Sequence, residues 1–174
     1  AKRAVLGAGD DCALLQPAPG MHLAVSTDML VEGRHFLSTV APDRLGHKAL
    51  AVNLSDLAAC GAAPLAFTLA LSMPRIDEAF LDGFARGLFA LADAHGIELI
   101  GGDTTAGPLN VCITVFGEVP AGAALLRSGA RAGDALWVSH PRETRSTPVS
   151  ATSRTFSGRI PPEASVSARP RARR

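Results

Sequence analysis

The sequence predicts an α/β (α+β) domain, a mixed sheet with two main helices packed on one face. Two observations lead there: apolar spacing alternates between the strand and helix periods, and a β-rich stretch follows the second helical segment. Residues 21–28 (MHLAVSTD) read as a strand, which puts Ser26 and Asp28 on one face and Thr27 on the other. Residues 42–61 read as a helix that opens on Pro42, a favoured first-turn residue followed by Asp43, and closes on Gly61. Residues 66–72 (AFTLALS) form the next strand. A second helix starts at Asp77 as N-cap, runs through Phe80, Phe84, Leu88 and Leu91, and is closed by His95 and Gly96. Residues 98–100 make a short strand and 109–116 (LNVCITVF) a longer one, apolar on both faces.

At 174 residues and 47% hydrophobic content the chain buries one good core and has the composition of a soluble globular protein. No apolar run reaches the roughly 20 residues that span a bilayer, and the apolar stretch before Gly7 is too short for a signal peptide, so a cytoplasmic protein with no membrane partner is expected. Cys12, Cys60 and Cys112 are odd in number, widely spaced and set among apolar residues, which reads as reduced, buried thiols. The net charge of +1 divides unevenly: residues 141–174 carry +6 and residues 1–140 carry −5. Residues 1–140 are therefore the folded domain. Residues 141–174, rich in Ser, Pro and Arg and poor in periodic apolar positions, are expected to be a disordered basic tail. Such a tail suits a nucleic-acid or anionic-membrane arm, but out-of-frame translation of GC-rich DNA also yields this composition, and the second origin is preferred.

The chemistry concentrates in aspartates that follow small residues at element ends: Gly9-Asp10-Asp11, Ser26-Thr27-Asp28, Ser55-Asp56 and Gly102-Asp103. Each alone reads most simply as a turn or cap residue; the set carries the weight. Asp56 lies in a helical segment apolar almost all round, with Asn53 at i−3 on the same face, and a buried carboxylate there needs a cation or strong hydrogen bonds. Scattered Asp, Ser and Thr oxygens suit magnesium, whereas the histidines at 22, 35, 47, 95 and 140 show no metal-ligand spacing. No GxxxxGK[ST] is present and Gly7-Ala8-Gly9 lacks a third glycine, so phosphate chemistry must use another fold. Gly101-Gly102-Asp103-Thr104-Thr105 reads as a loop after a strand, able to offer N–H groups and hydroxyls to phosphate.

Taken in order, Gly9-Asp10-Asp11-Cys12-Ala13, the run from Ser26-Thr27-Asp28 to Glu32-Gly33-Arg34-His35-Phe36, the run from Lys48 through Asn53-Leu54-Ser55-Asp56 to Ala59, Gly101-Gly102-Asp103-Thr104-Thr105 and Arg127-Ser128-Gly129-Ala130 resemble the bacterial thiamine-monophosphate kinases. Their parent group is the aminoimidazole-ribonucleotide synthetase-like ATP-using enzymes. The resemblance covers about residues 5–139 and implies the amino-terminal domain of that fold, with the C-terminal domain missing. It implies transfer of the ATP γ-phosphoryl group to thiamine monophosphate, giving thiamine diphosphate and ADP, with several Mg2+ ions bridging the phosphates. Carried over by motif, Asp11, Ser26, Thr27, Asp28, Asp56 and Asp103 are metal ligands, Gly102, Asp103 and Arg127 contact ATP, and His35 contacts thiamine monophosphate. The resemblance also implies a homodimer joined through a β-barrel. The pattern stops at Val138-Ser139, His140 stands where the family has glycine, and no second domain follows, so binding without catalysis is expected of this chain. Two other readings stay open: an inactive scaffold or nucleic-acid-binding fragment acting through the basic tail, and another ATP-using enzyme of the superfamily.

Overall fold

The structure is a computed structural model that describes residues 4–132. The expected tail at 141–174, and the end of the family pattern at 138–140, lie outside the described residues. Two short strands, β1 (Ala4–Leu6) and β2 (Leu14–Leu15), pair antiparallel by themselves. The main sheet holds β3 (Met21–Val31), β4 (Ala63–Met73), β5 (Glu98–Ala106) and β6 (Asn110–Pro120) in the order β3-β6-β4-β5. β6 is antiparallel to both neighbours and β4 is parallel to β5, so β3, β4 and β5 share one direction. Two helices connect them, α1 (Pro42–Ala59) between β3 and β4 and α2 (Glu78–His95) between β4 and β5. The mixed sheet with two helices is the predicted class.

Local chemistry sets the helix ends. Pro42 stands in the first turn of α1; past Ala59, Cys60 caps the helix, Gly61 turns at φ 71°, and the Ala62 N–H reaches back to the Leu57 carbonyl at 2.9 Å. Asp77 caps α2 by accepting from the Phe80 N–H at 3.0 Å, and Gly96 ends it in the left-handed conformation. The helices cross at backbone contact. A Cβ on Gly87 would lie 1.8 Å from the Asp43 carbonyl oxygen and one on Gly46 2.1 Å from that of Phe84.

One sheet face is the core: Phe67, Ile113 and Val115 alternate with outward residues along β4 and β6 and are buried together with Leu45, Leu50 and Leu88 of the helices. On the other face the row Leu23, Val25, Thr27 and Met29 of β3 is exposed. The cysteines correct one expectation. All three are free, but Cys12 and Cys60 are exposed and Cys112 is half-buried, because they fall in the β1–β2 connection, at a helix cap and on the outward face of β6. Among the described residues no helix is long and apolar enough to cross a membrane, which leaves crossing by strands unaddressed. By its contacts the chain divides at Leu125/Leu126; the described part of the second unit is a single 3-10 turn, Arg127–Gly129, closed by the Gly129 N–H on the Leu126 carbonyl at 2.9 Å.

Candidate functional site

Alternation along β3 turns Ser26 and Asp28 toward α1, on the face of Val115 and Ile113, their register partners in β6. On α1, Asn53 and Asp56 are three residues apart, so they share the helix face that meets this strand. The two pairs interlock. The Ser26 hydroxyl donates to Asp56 Oδ2 at 2.6 Å, and the Asp28 main-chain N–H donates to Asn53 Oδ1 at 3.2 Å. Asn53 is buried and its amide nitrogen also donates to the Ala49 carbonyl at 2.9 Å.

Asp56 itself is exposed, which corrects the expectation of a buried carboxylate. The buried stripe of α1 runs through Leu45, Ala49, Leu50, Asn53, Leu54 and Leu57, and Asp56 flanks it beside Ser55, Ala58 and Ala59, which are exposed as well. Small side chains made the helix look apolar all round, but alanine carries little apolar area and tolerates solvent.

The other predicted residues are placed apart from this group. Thr27 faces the opposite side of the sheet, its hydroxyl 2.9 Å from that of Thr114. Asp103 lies in the register row Asp103–Ala70–Cys112–Met29, on the outward face and at the far edge of the sheet. Three strand spacings separate the β3 and β5 edges, about 14 Å. Asp11 is exposed between β1 and β2, where its N–H donates to Asp10 Oδ1 at 2.8 Å. Accordingly, among the described residues no three His, Cys, Asp or Glu side chains come together as a metal cage.

The glycine-rich segment expected as a loop is instead the body of β5: residues 101–105 pair parallel with Thr68 through Ser72 of β4. Gly102 has φ 151°, and a Cβ there would stand 1.9 Å from the Leu69 carbonyl oxygen, so this strand position admits only glycine.

His35 sits in a tight turn that reverses the chain after β3. Its N–H donates to the Val31 carbonyl at 2.9 Å while its Nδ1 accepts from the Val31 N–H at 3.0 Å, and Gly33 (φ 75°) donates to the Phe36 carbonyl. With Nδ1 an acceptor, the neutral ring carries its proton on Nε2. Lys48 of α1 donates to the His35 carbonyl and ties the turn to the helix. A cleft of about 560 Å³ adjoins the turn, lined by Glu32, Phe36, Pro42, Arg75 and Phe80 among others. Sequence reading missed Lys48 as a tie and took Asn53 only as a neighbour of Asp56; a lone amide on a leucine and alanine stripe was the signal available for Asn53.

Residues 9–119 match the family described as AIR synthase related protein, N-terminal domain. The thiamine-monophosphate kinase of Salmonella typhimurium is 54% identical over 132 residues, which cover 76% of this chain and 41% of that protein. The crystal structure of the thiamine-monophosphate kinase from Stenotrophomonas maltophilia K279a superposes with a TM-score of 0.66 at 52% identity, covering 70% of this chain and 39% of that one. A structure of AaThiL complexed with AMPPCP and TMP gives a TM-score of 0.64 at 29% identity over 69% of this chain and 39% of that one. This chain thus spans about two fifths of the length of the relatives it matches.

Proposed function

The chain belongs to the AIR synthase related protein family, whose N-terminal domain it matches, and from that premise we propose that it is the nucleotide- and cation-holding part of a thiamine-monophosphate kinase. The reaction is transfer of the ATP γ-phosphoryl group to thiamine monophosphate, giving thiamine diphosphate and ADP. One observation carries the reading: β3 and α1 assemble Ser26, Asp28 and Asp56 in a chain 54% identical to a thiamine-monophosphate kinase over the matched stretch. Likeness to a structure holding both AMPPCP and TMP supports the two substrates.

The donors fit magnesium. They are hydroxyl and carboxylate oxygens without sulfur or imidazole, and magnesium takes one or two carboxylates while keeping waters and substrate phosphates, so a cage of three carboxylates is not required. When bound, the ion neutralises charge on the phosphate chains. Asp28 and Asp56, together with Ser26, which donates to Asp56, would hold one such site; Asp103, at the opposite edge, would serve a different ion. Asp11 and Thr27 join the set by resemblance alone, as do Gly102 and Arg127 toward ATP. His35, its Nδ1 occupied, presents Nε2–H as a donor for the phosphate of thiamine monophosphate.

The exposed row of Leu23, Val25 and Met29 is the face through which two copies join as a homodimer. Soluble phosphorylated substrates place the protein in the cytoplasm. Isothermal titration of the full chain with AMPPCP, with and without Mg2+, tests the binding half of the reading: magnesium-dependent heat is expected, and its absence overturns it. Formation of thiamine diphosphate after the remaining length of the relatives is appended tests the reaction.

A further inference from the structure

Asn53 is 1% exposed, within the apolar stripe of α1. An amide in such a place destabilises the fold unless both its ends are bonded, and here they are. The bond to the Ala49 carbonyl stays within one helix and orders nothing beyond it. The bond to β3 does more. β3 is an edge strand paired only with β6, and Asp28 stands opposite Ile113 on the set of positions whose N–H groups face β6, as those of Gly20/Ala121 and Glu32/Leu109 do at the two ends of the pairing. The Asp28 N–H also reaches Asn53 Oδ1, at 3.2 Å, so the helix side chain meets the main chain of the strand at this residue. Three residues along the helix Asp56 takes the Ser26 hydroxyl, two residues back along the strand, so helix and strand are pinned at two points.

We propose that Asn53 is a positioning residue of the cation site: it fixes the main chain of Asp28 against α1 and so sets the spacing between the Asp28 and Asp56 carboxylates. The inference rests on the cation-binding reading above. The test uses the full chain with Mn2+ as a paramagnetic probe, comparing wild type with Asn53→Leu and with Asn53→Ser, which keeps a hydroxyl for the Ala49 carbonyl but stops short of β3. Leu57→Ala, a core truncation on the same helix, controls for lost stability. Both Asn53 variants are expected to weaken Mn2+ binding roughly ten- to a hundredfold, as loss of a group orienting a metal ligand does elsewhere. In the metal-free protein both should also shift the Asp28 amide resonance, because that N–H loses the Asn53 oxygen. Leu57→Ala should lower the melting temperature yet change Mn2+ affinity by less than about threefold. Unchanged Mn2+ affinity in both Asn53 variants, with the Asp28 amide resonance shifted, overturns the positioning role alone, as does equal weakening by Leu57→Ala. A wild type that binds no Mn2+ overturns the cation reading itself and the inference with it.

Discussion

Gly101 and Gly102 are neighbours in one strand, yet replacing each by alanine should have opposite consequences. At Gly101 an added methyl meets nothing nearer than Thr68 Cγ2 at 4.0 Å, an ordinary contact. At Gly102 the methyl stands 1.9 Å from the Leu69 carbonyl oxygen and 2.7 Å from its carbon, main-chain atoms of the adjacent strand that cannot rotate aside. Relief needs β4 and β5 to part by more than 1 Å, beyond what parallel pairing tolerates. The φ of 151° adds strain for any side chain, about 1–3 kcal/mol, and overfilling a packed site adds about 1–3 kcal/mol. One backbone shift relieves part of both, so Gly102→Ala should destabilise by about 3 kcal/mol, a fall in melting temperature of roughly 10 °C for a chain of this size. Gly101→Ala should stay within about 0.5 kcal/mol of wild type. Thermal unfolding followed by circular dichroism reads both. A Gly102→Ala protein melting with wild type, or a Gly101→Ala protein falling equally far, would refute the reasoning that the β4–β5 approach dictates glycine at 102.

Gly87→Ala should lower stability by about 2 kcal/mol, because parting α1 from α2 outweighs the roughly 1 kcal/mol alanine adds to an isolated helix; denaturant titration checks it. Asp77→Ala should cost about 1 kcal/mol through loss of the cap on the Phe80 N–H, seen as a lower urea midpoint with an unchanged slope. Asp28→Asn should leave the melting temperature near wild type while removing the magnesium-dependent part of AMPPCP binding in calorimetry, since it spares the main-chain bond to Asn53 but takes away the charge. Val25→Glu should shift sedimentation toward the monomer, by placing charge in the exposed apolar row.

The reach of sequence reading depended on how local each determinant is. The caps at Asp77 and Gly96, and the face shared by Ser26 and Asp28, follow from backbone geometry over a few residues, and the structure reproduces them. The three- and two-residue strands β1 and β2 have no period to detect. Residues 101–105 read as a loop because glycine disfavours strands, and only pairing with a strand some thirty residues earlier in the chain overrides that preference. Asp56 was misjudged as buried because periodicity counts alanine as apolar without asking which face meets the sheet.

By itself the sequence determined the α/β class, the two helices and their ends, and a set of aspartates whose order carries the family resemblance, since all of these are written in adjacent or periodic residues. The tertiary structure decided which of them meet. It joins Ser26 and Asp28 to Asp56 and Asn53, turns Thr27 to the other face and sends Asp103 to the opposite edge. Those choices follow from β6 inserting between β3 and β4, a pairing between residues about ninety apart in the chain that no local pattern encodes.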